Sequence, residues 1–180
     1  MRPGTVEKMV ADSITVVQML PDLEGGGVER GTLELARYLR HQGHRSIVVS
    51  GGGRLVSQLE KEGSTHVTLK VGVKHPASLK TIFPLRRLLQ EEHVDILHVR
   101  SRLPAWIGYV VWRSLSQKTR PRLVTTFHGF YSVNPYSAVM TKGERVIAIS
   151  KSVAGHIFLN AFKSDTVSLK YQGCYVYLSF

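Results

Sequence analysis

From residue 14 to residue 149 the chain alternates short apolar runs with stretches whose apolar residues recur at helical spacing. The runs at 14–20, 45–50, 66–71, 94–99, 122–127 and 145–149 are rich in Val, Ile and Leu and read as six strands. Helical patterns lie between them at 28–41, 55–62, 78–92 and 103–116, and a fifth helix opens near Ser150. In the first of these, Leu33, Ala36 and Leu39 share one side, Glu29, Arg30, Glu34, Arg37 and Arg40 fill the rest, and Gly43 ends the run. Gly63 closes the second, and Pro84 inside the third predicts a kink or a fresh start. Strands alternating with helices imply right-handed crossovers and an α/β, Rossmann-like parallel sheet with helices on both faces. Ligands of such sheets sit beyond the carboxyl ends of the strands. The glycine loop before the first helix, Arg100-Ser101-Arg102, His128-Gly129 and Ser150 all follow strands, so they converge on one edge.

The loop between the first strand and first helix reads Leu20-Pro-Asp-Leu-Glu-Gly-Gly-Gly-Val-Glu-Arg30. Glycine permits close backbone approach, and a helix start offers free N–H groups at a positive dipole end, which together suit an anion such as phosphate. Neither common nucleotide motif fits. A P-loop needs Lys followed by Ser or Thr, and Gly31-Thr32 follows Arg30 instead. A dinucleotide fingerprint needs a third glycine where Arg30 stands, and an acid at the end of the second strand, where the chain runs Ser50-Gly51-Gly52-Gly53. The loop is therefore a phosphate cradle of another kind or a turn without a ligand.

Charge narrows the partners. The net charge is +11, and residues 61–120 hold 11 Lys and Arg against 4 acidic residues. That bias favours phosphates, either of nucleotides or of an anionic membrane face. Zinc-finger, RRM and homeodomain signatures are missing, so nucleic acid is not an expected partner. The histidines, His41 and His44 among them, show no metal-ligand spacing, and no metal or cofactor is expected. The single cysteine, Cys174, permits no internal disulfide and favours a reducing compartment. The longest uncharged apolar stretch, 103–112, has ten residues where a spanning helix needs about 20. A cytoplasmic chain is expected, with the inner face of the membrane as a peripheral location. Lys80, Arg86 and Arg87 share a segment with Leu79, Ile82, Phe83, Leu88 and Leu89. Those apolar residues are expected to pack on the sheet rather than to meet lipid.

The order of these landmarks carries a resemblance. Gly26-Gly27-Val28-Glu29, then Leu33-Glu-Leu-Ala-Arg-Tyr-Leu39, then Gly43-His44 resembles the N-terminal domain of GT-B glycosyltransferases, in the "subfamily 4-like" form of the retaining, group 1 class. Asp95-Ile-Leu-His98, Thr125-Thr-Phe-His-Gly129 and Arg145-Val-Ile-Ala-Ile-Ser150 agree in sequence order. The segments 100–106 and 127–134 resemble a bacterial branch associated with envelope polysaccharide or lipopolysaccharide assembly. The resemblance implies a Rossmann-like domain that takes the acceptor, facing a second domain that holds a nucleotide-sugar donor. It implies that Gly26, Gly27 and Val28 approach the donor diphosphate, and that His128 lies by the transferred sugar and bonds a hydroxyl. Arg100 and Arg102 would contact acceptor or phosphate oxygens, or serve as surface charge; Tyr131, Asn134 and Tyr136 would contact a sugar, or order their loop.

Residues 1–157 match this N-terminal, acceptor-side domain, and residues 158–180 read as an atypical tail with six of the 15 aromatic residues. The donor domain is expected after His156 and is not found, so the resemblance implies a truncated chain, weak or inactive alone, or one completed by a second polypeptide. The remaining readings are a non-catalytic phosphate- or glycan-binding module, a sugar-nucleotide epimerase, and a nicotinamide-dependent oxidoreductase, the last weakened by Arg30.

Overall fold

The computed structural model describes residues 13–73, 76–161, 168–172 and 175–179. Cys174, singled out above, lies outside the described residues, as does part of the expected tail. The elements are β1 (Thr15–Met19), α1 (Gly27–His41), β2 (Arg45–Ser50), α2 (Val56–Lys61), β3 (Thr65–Thr68), α3 (Ile82–Glu91), β4 (Ile96–Val99), α4 (Arg102–Ser114), β5 (Arg122–Phe127), β6 (Arg145–Ala148), α5 (Lys151–Ala161), β7 (Ser168–Gln172) and β8 (Tyr175–Ser179). Two 3-10 helices, Pro76–Thr81 and Ser137–Thr141, lead into α3 and β6.

One sheet runs β3-β2-β1-β4-β5-β6-β8-β7, with the first six strands parallel and the last two antiparallel. The chain winds outward from β1 to β3, then crosses back to β4, so the order reverses between β1 and β4 and opens a crevice there. Register fixes what faces that crevice. Gln18 pairs with His98, His98 with Val124, and Thr126 with Ile147, which puts all five on one face. The alternate residues Val17, Met19, Leu97, Val99, Phe127, Val146 and Ala148 point the other way into the main core. Leu85 and Leu89 of α3, Ala105, Ile107 and Val111 of α4, and Val153 and Ile157 of α5 complete it. On the crevice face, Leu33 and Ala36 of α1 and Leu59 of α2 pack over Val48, Leu20 and Leu23. Among the described residues no helix lies over β4, β5 and β6 on that face, so His98, Thr126 and Ile147 line open space.

Helix α1 is stabilised end to end. Glu29 lies in its first turn and Arg40 and His41 in its last, each sign complementing the dipole. Of the two outcomes expected at Pro84, the fresh start is the one seen. Helix α3 begins at Ile82, so Pro84 sits in the first turn, where an N–H has no intrahelical acceptor to lose. Two residues expected in the core are outside it: Leu79 and Phe83 are exposed, while Leu85 and Leu89 anchor the helix. Helix α5 runs through the expected tail boundary to Ala161, and β8 lies antiparallel against β6.

Candidate functional site

The loop from β1 to α1 is held by the loop from β2 to α2. Gly51 N donates to Pro21 O at 2.7 Å, Leu23 N to Gly52 O at 2.7 Å, and Leu55 N to Leu23 O at 2.9 Å. The second glycine triplet makes this approach feasible. Gly53 has φ +133°, and a Cβ there would stand 2.5 Å from the Leu23 carbonyl oxygen. Gly25, at φ +147°, lies under the Arg54 guanidinium, whose Nε donates to the Glu24 carbonyl. Gly26 is the N-cap of α1, with no side-chain hydrogen bond at the cap. The Glu29 carboxylate turns back toward it, so that a Cβ on Gly26 would meet Oε2 at 2.5 Å. Gly27 has open space where a Cβ would project.

Gly27, Val28 and the next two turns of α1 form one wall of a cleft of about 760 Å³. His98 and Arg100 from the end of β4, Thr126 and His128 from the end of β5, and Ile147 and Ile149 from β6 form the rest. Arg100 is buried and crosses the switch point: its Nη1 donates to Gln18 Oε1 at 2.9 Å and to Gly31 O at 3.4 Å. His98 Nε2 and the Thr126 hydroxyl are 2.7 Å apart. Burial drives the His98 pKa well below its ordinary value, with Arg100 and His128 adding to the effect. Burial, then Arg100, lowers the His128 pKa to about 4. At neutral pH His128 is therefore an uncharged imidazole. Its Nε2 is buried and has no hydrogen-bond partner in the protein. A ring nitrogen left so against a cleft suits a ligand hydroxyl that supplies the missing bond.

A second pocket, of about 210 Å³, lies where the segment after β5 meets α5, and Tyr131 and Asn134 line it. The Arg102 guanidinium rests 5.0 Å from the Tyr131 ring centre and 5.2 Å from that of Tyr136, and Nη1 reaches Ser137 Oγ at 3.4 Å. Asn134 Oδ1 accepts from Ser137 N at 2.9 Å, Trp106 Nε1 donates to Tyr136 O at 2.9 Å, and His156 Nε2 donates to Tyr131 O at 2.9 Å. The residues picked out from sequence thus divide. Gly27, Val28, Arg100 and His128 share the large cleft, with Gly26 capping the helix beside it, while Tyr131 and Asn134 line the smaller pocket and Arg102 stacks on the Tyr131 ring without lining either.

Sequence reasoning treated His98 as a landmark and passed over Gln18, Thr126 and the bracing role of Gly51, Gly52 and Gly53. The two-residue spacing of His98 and Arg100, and of Thr126 and His128, is the signal that places each pair on one strand face. Among the described residues there is no group of three or more His, Cys, Asp and Glu able to hold a metal ion.

The sequence matches the Glycosyltransferase Family 4 domain over residues 25–167. The chain belongs to this family. A glycosyltransferase from Rickettsia africae ESF-5 is 34% identical, with a TM-score of 0.72, covering 84% of this chain and 40% of that one. Anabaena Alr3699/HepE, solved with UDP and glucose, is 15% identical, with a TM-score of 0.61, covering 83% of this chain and 42% of that one. The lipopolysaccharide outer core galactosyltransferase WaaB, in apo form, is 11% identical, with a TM-score of 0.61, covering 83% and 43%. At their level of identity the last two speak for the fold alone. No curated protein matches the sequence. This Family 4 chain spans about 40% of the length of the solved chains it resembles, and its sheet is that of the N-terminal domain of a GT-B glycosyltransferase.

Proposed function

We propose that this Family 4 domain is the acceptor-side half of a glycosyltransferase that moves a sugar from a nucleotide-sugar donor to a cell-envelope glycan or lipid acceptor, with retention. The observation that carries the reading is the meeting of two groups in one cleft. The start of α1 at Gly27 and Val28 lines the same space as His128, whose buried Nε2 has no hydrogen-bond partner in the protein. In the transfer, the bond from the anomeric carbon to the diphosphate breaks and its electron pair passes to the phosphate oxygen. The acceptor oxygen bonds to that carbon, and its proton passes to the departing phosphate oxygen. Amides at the start of α1 stabilise the departing negative charge. His128, neutral at pH 7, holds a sugar hydroxyl and fixes the anomeric carbon rather than taking a proton. Arg100 adds a fixed positive charge at the base of the cleft, and the pocket lined by Tyr131 and Asn134, beside Arg102, receives part of the acceptor. A second domain, in a longer polypeptide or a separate chain, supplies the contacts to the nucleoside.

Amide chemical shifts test the reading. Titration with UDP-glucose or another nucleoside-diphosphate sugar is expected to move the Gly27 and Val28 amides and the His128 ring protons, with a weak, millimolar-range affinity for this half-site. NAD is expected to leave them in place. Movement with NAD alone, or with neither, overturns the proposal.

A further inference from the structure

The turn after β2 is fastened from the sheet edge, away from the cleft. Register sets Val48 opposite His66 and Ser50 opposite Thr68, so these four side chains share the crevice face. Ser50 is fully buried, and its hydroxyl lies 2.8 Å from Nε2 of the half-buried His66. Gly52 N donates to the same hydroxyl at 3.2 Å. Among the described residues the Ser50 proton has no other acceptor, so it goes to Nε2. The ring is then the neutral form with its proton on Nδ1, which lies 3.5 Å from the Thr68 hydroxyl. Gly52 passes the hold onward, because its carbonyl accepts from Leu23 N at 2.7 Å. Leu23 precedes Gly26, the N-cap of α1, by three residues, and that cap has no side-chain hydrogen bond of its own.

Resting on the reading of Gly27 and Val28 as a diphosphate site, we propose that His66 is a positioning residue for that site, acting through Ser50 and Gly52 without touching a ligand. His66 does not line the cleft. Amides stabilise an anion best when they are oriented before it arrives. Here the cap of α1 lacks a side-chain bond, so the loop before it takes its position from the second turn, and that turn from a buried hydroxyl. A buried hydroxyl keeps one orientation only while its proton has an acceptor. Once Nε2 carries a proton, Ser50 faces two donors and its own proton is left without a partner. Protonating His66 therefore loosens Gly52 in the same way as removing the ring. Of the elements packed on β3, α2 brings Glu60 toward the ring, and β2 brings the uncharged Ser50. Burial, opposed by Glu60, holds the His66 pKa below its ordinary 6.5. The clamp is thus intact at neutral pH and opens as pH falls through that lowered value.

Calorimetry with inorganic pyrophosphate on the full chain, read beside amide chemical shifts, tests this. In the parent, pyrophosphate should move the Gly27 and Val28 amides. His66→Leu removes the acceptor and should weaken binding about fivefold, the weight of one hydrogen bond. His66→Gln, whose carboxamide oxygen can take the Ser50 proton, should bind within about twofold of the parent. From about pH 7.5 to about pH 5 the parent should lose affinity more steeply than His66→Gln, which cannot titrate. The comparison cancels the titration of the ligand, and His128, with its pKa at about 4, stays largely uncharged over that range. A histidine that only fills space gives neither the rescue nor the difference in pH profile. Equal binding by the parent and His66→Leu, no rescue by His66→Gln, or identical pH profiles overturns the role of His66. Should the parent's Gly27 and Val28 amides stay in place, the diphosphate site itself is absent and the role of His66 falls with it. Should they move while the variants match the parent, the role of His66 falls alone.

Discussion

The imidazole Nε2 of His98 and the hydroxyl of Thr126 meet at 2.7 Å across the β4–β5 pair, on the face that opens to the cleft. Both groups are buried, so each is satisfied chiefly by the other. Thr126→Val keeps the shape and deletes one partner. The expected cost is about 1–2 kcal/mol, because a buried ring nitrogen is left without its bond. Urea unfolding measures it, and a variant as stable as the parent would show that the bond contributes nothing.

The depressed pKa of His128 makes stability depend on pH with a definite sign. Its folded value, about 4, lies below the ordinary 6.5. Between these values the unfolded chain binds a proton that the folded chain does not. The contribution is therefore fully present above pH 6.5 and is lost as pH falls toward 4, on the order of 2 kcal/mol after discounting for the exposed part of the ring. His128→Ala should flatten this acid limb. Arg100→Met removes the second cause of the shift, so ring-proton NMR should find the His128 pKa raised from about 4 toward its ordinary value.

Two glycines in this region should respond oppositely to alanine. Gly53→Ala forces a Cβ to 2.5 Å from a main-chain oxygen at φ +133°, and is expected to cost about 3 kcal/mol. Gly27→Ala has open space, lies at the first residue of α1, and should leave stability unchanged or slightly higher. Its methyl group enters the cleft, so affinity for a nucleoside-diphosphate sugar should fall. Thermal melts and the shift titration separate the two effects.

Glu29 stands where an anion at the start of α1 would feel it most. Glu29→Gln removes a like charge facing the ligand, and affinity for inorganic pyrophosphate should rise about threefold. The helix should lose about 0.5 kcal/mol with the same change. Unchanged or weaker pyrophosphate binding, measured by calorimetry, would show that the carboxylate does not compete there.

Much of this fold is legible in local pattern. The strands at Arg45–Ser50 and Arg122–Phe127 have the bounds their apolar runs suggest, because strands buried on both faces leave little room for slippage. The first and third strands end before their runs do, since Leu20, Leu69 and Val71 are apolar but belong to loops that pack on neighbours. Periodicity marks Leu79 and Phe83 as apolar helix positions and cannot say which side a neighbouring helix covers, so their exposure was invisible. The site was partly readable. Glycines before a helix and a histidine after a strand are visible in one dimension, whereas the pairing of Gln18 with Arg100 joins residues 82 apart through the crossover. Arg100 lines the cleft and Arg102 stacks on Tyr131 instead, because one follows β4 directly and the other opens α4.

The zipper of main-chain bonds between the two glycine-rich turns makes the placing of the first amides of α1 a shared property of two βα units. With the proposed anion site at Gly27, its occupancy and local opening of the β2–α2 unit become linked equilibria, because both depend on the bonds from Leu23 to Gly52 and from Leu55 to Leu23. A substitution far from the cleft, on the second βα unit, should then be felt as a change in affinity, and an anion bound there as slower hydrogen exchange at Leu55.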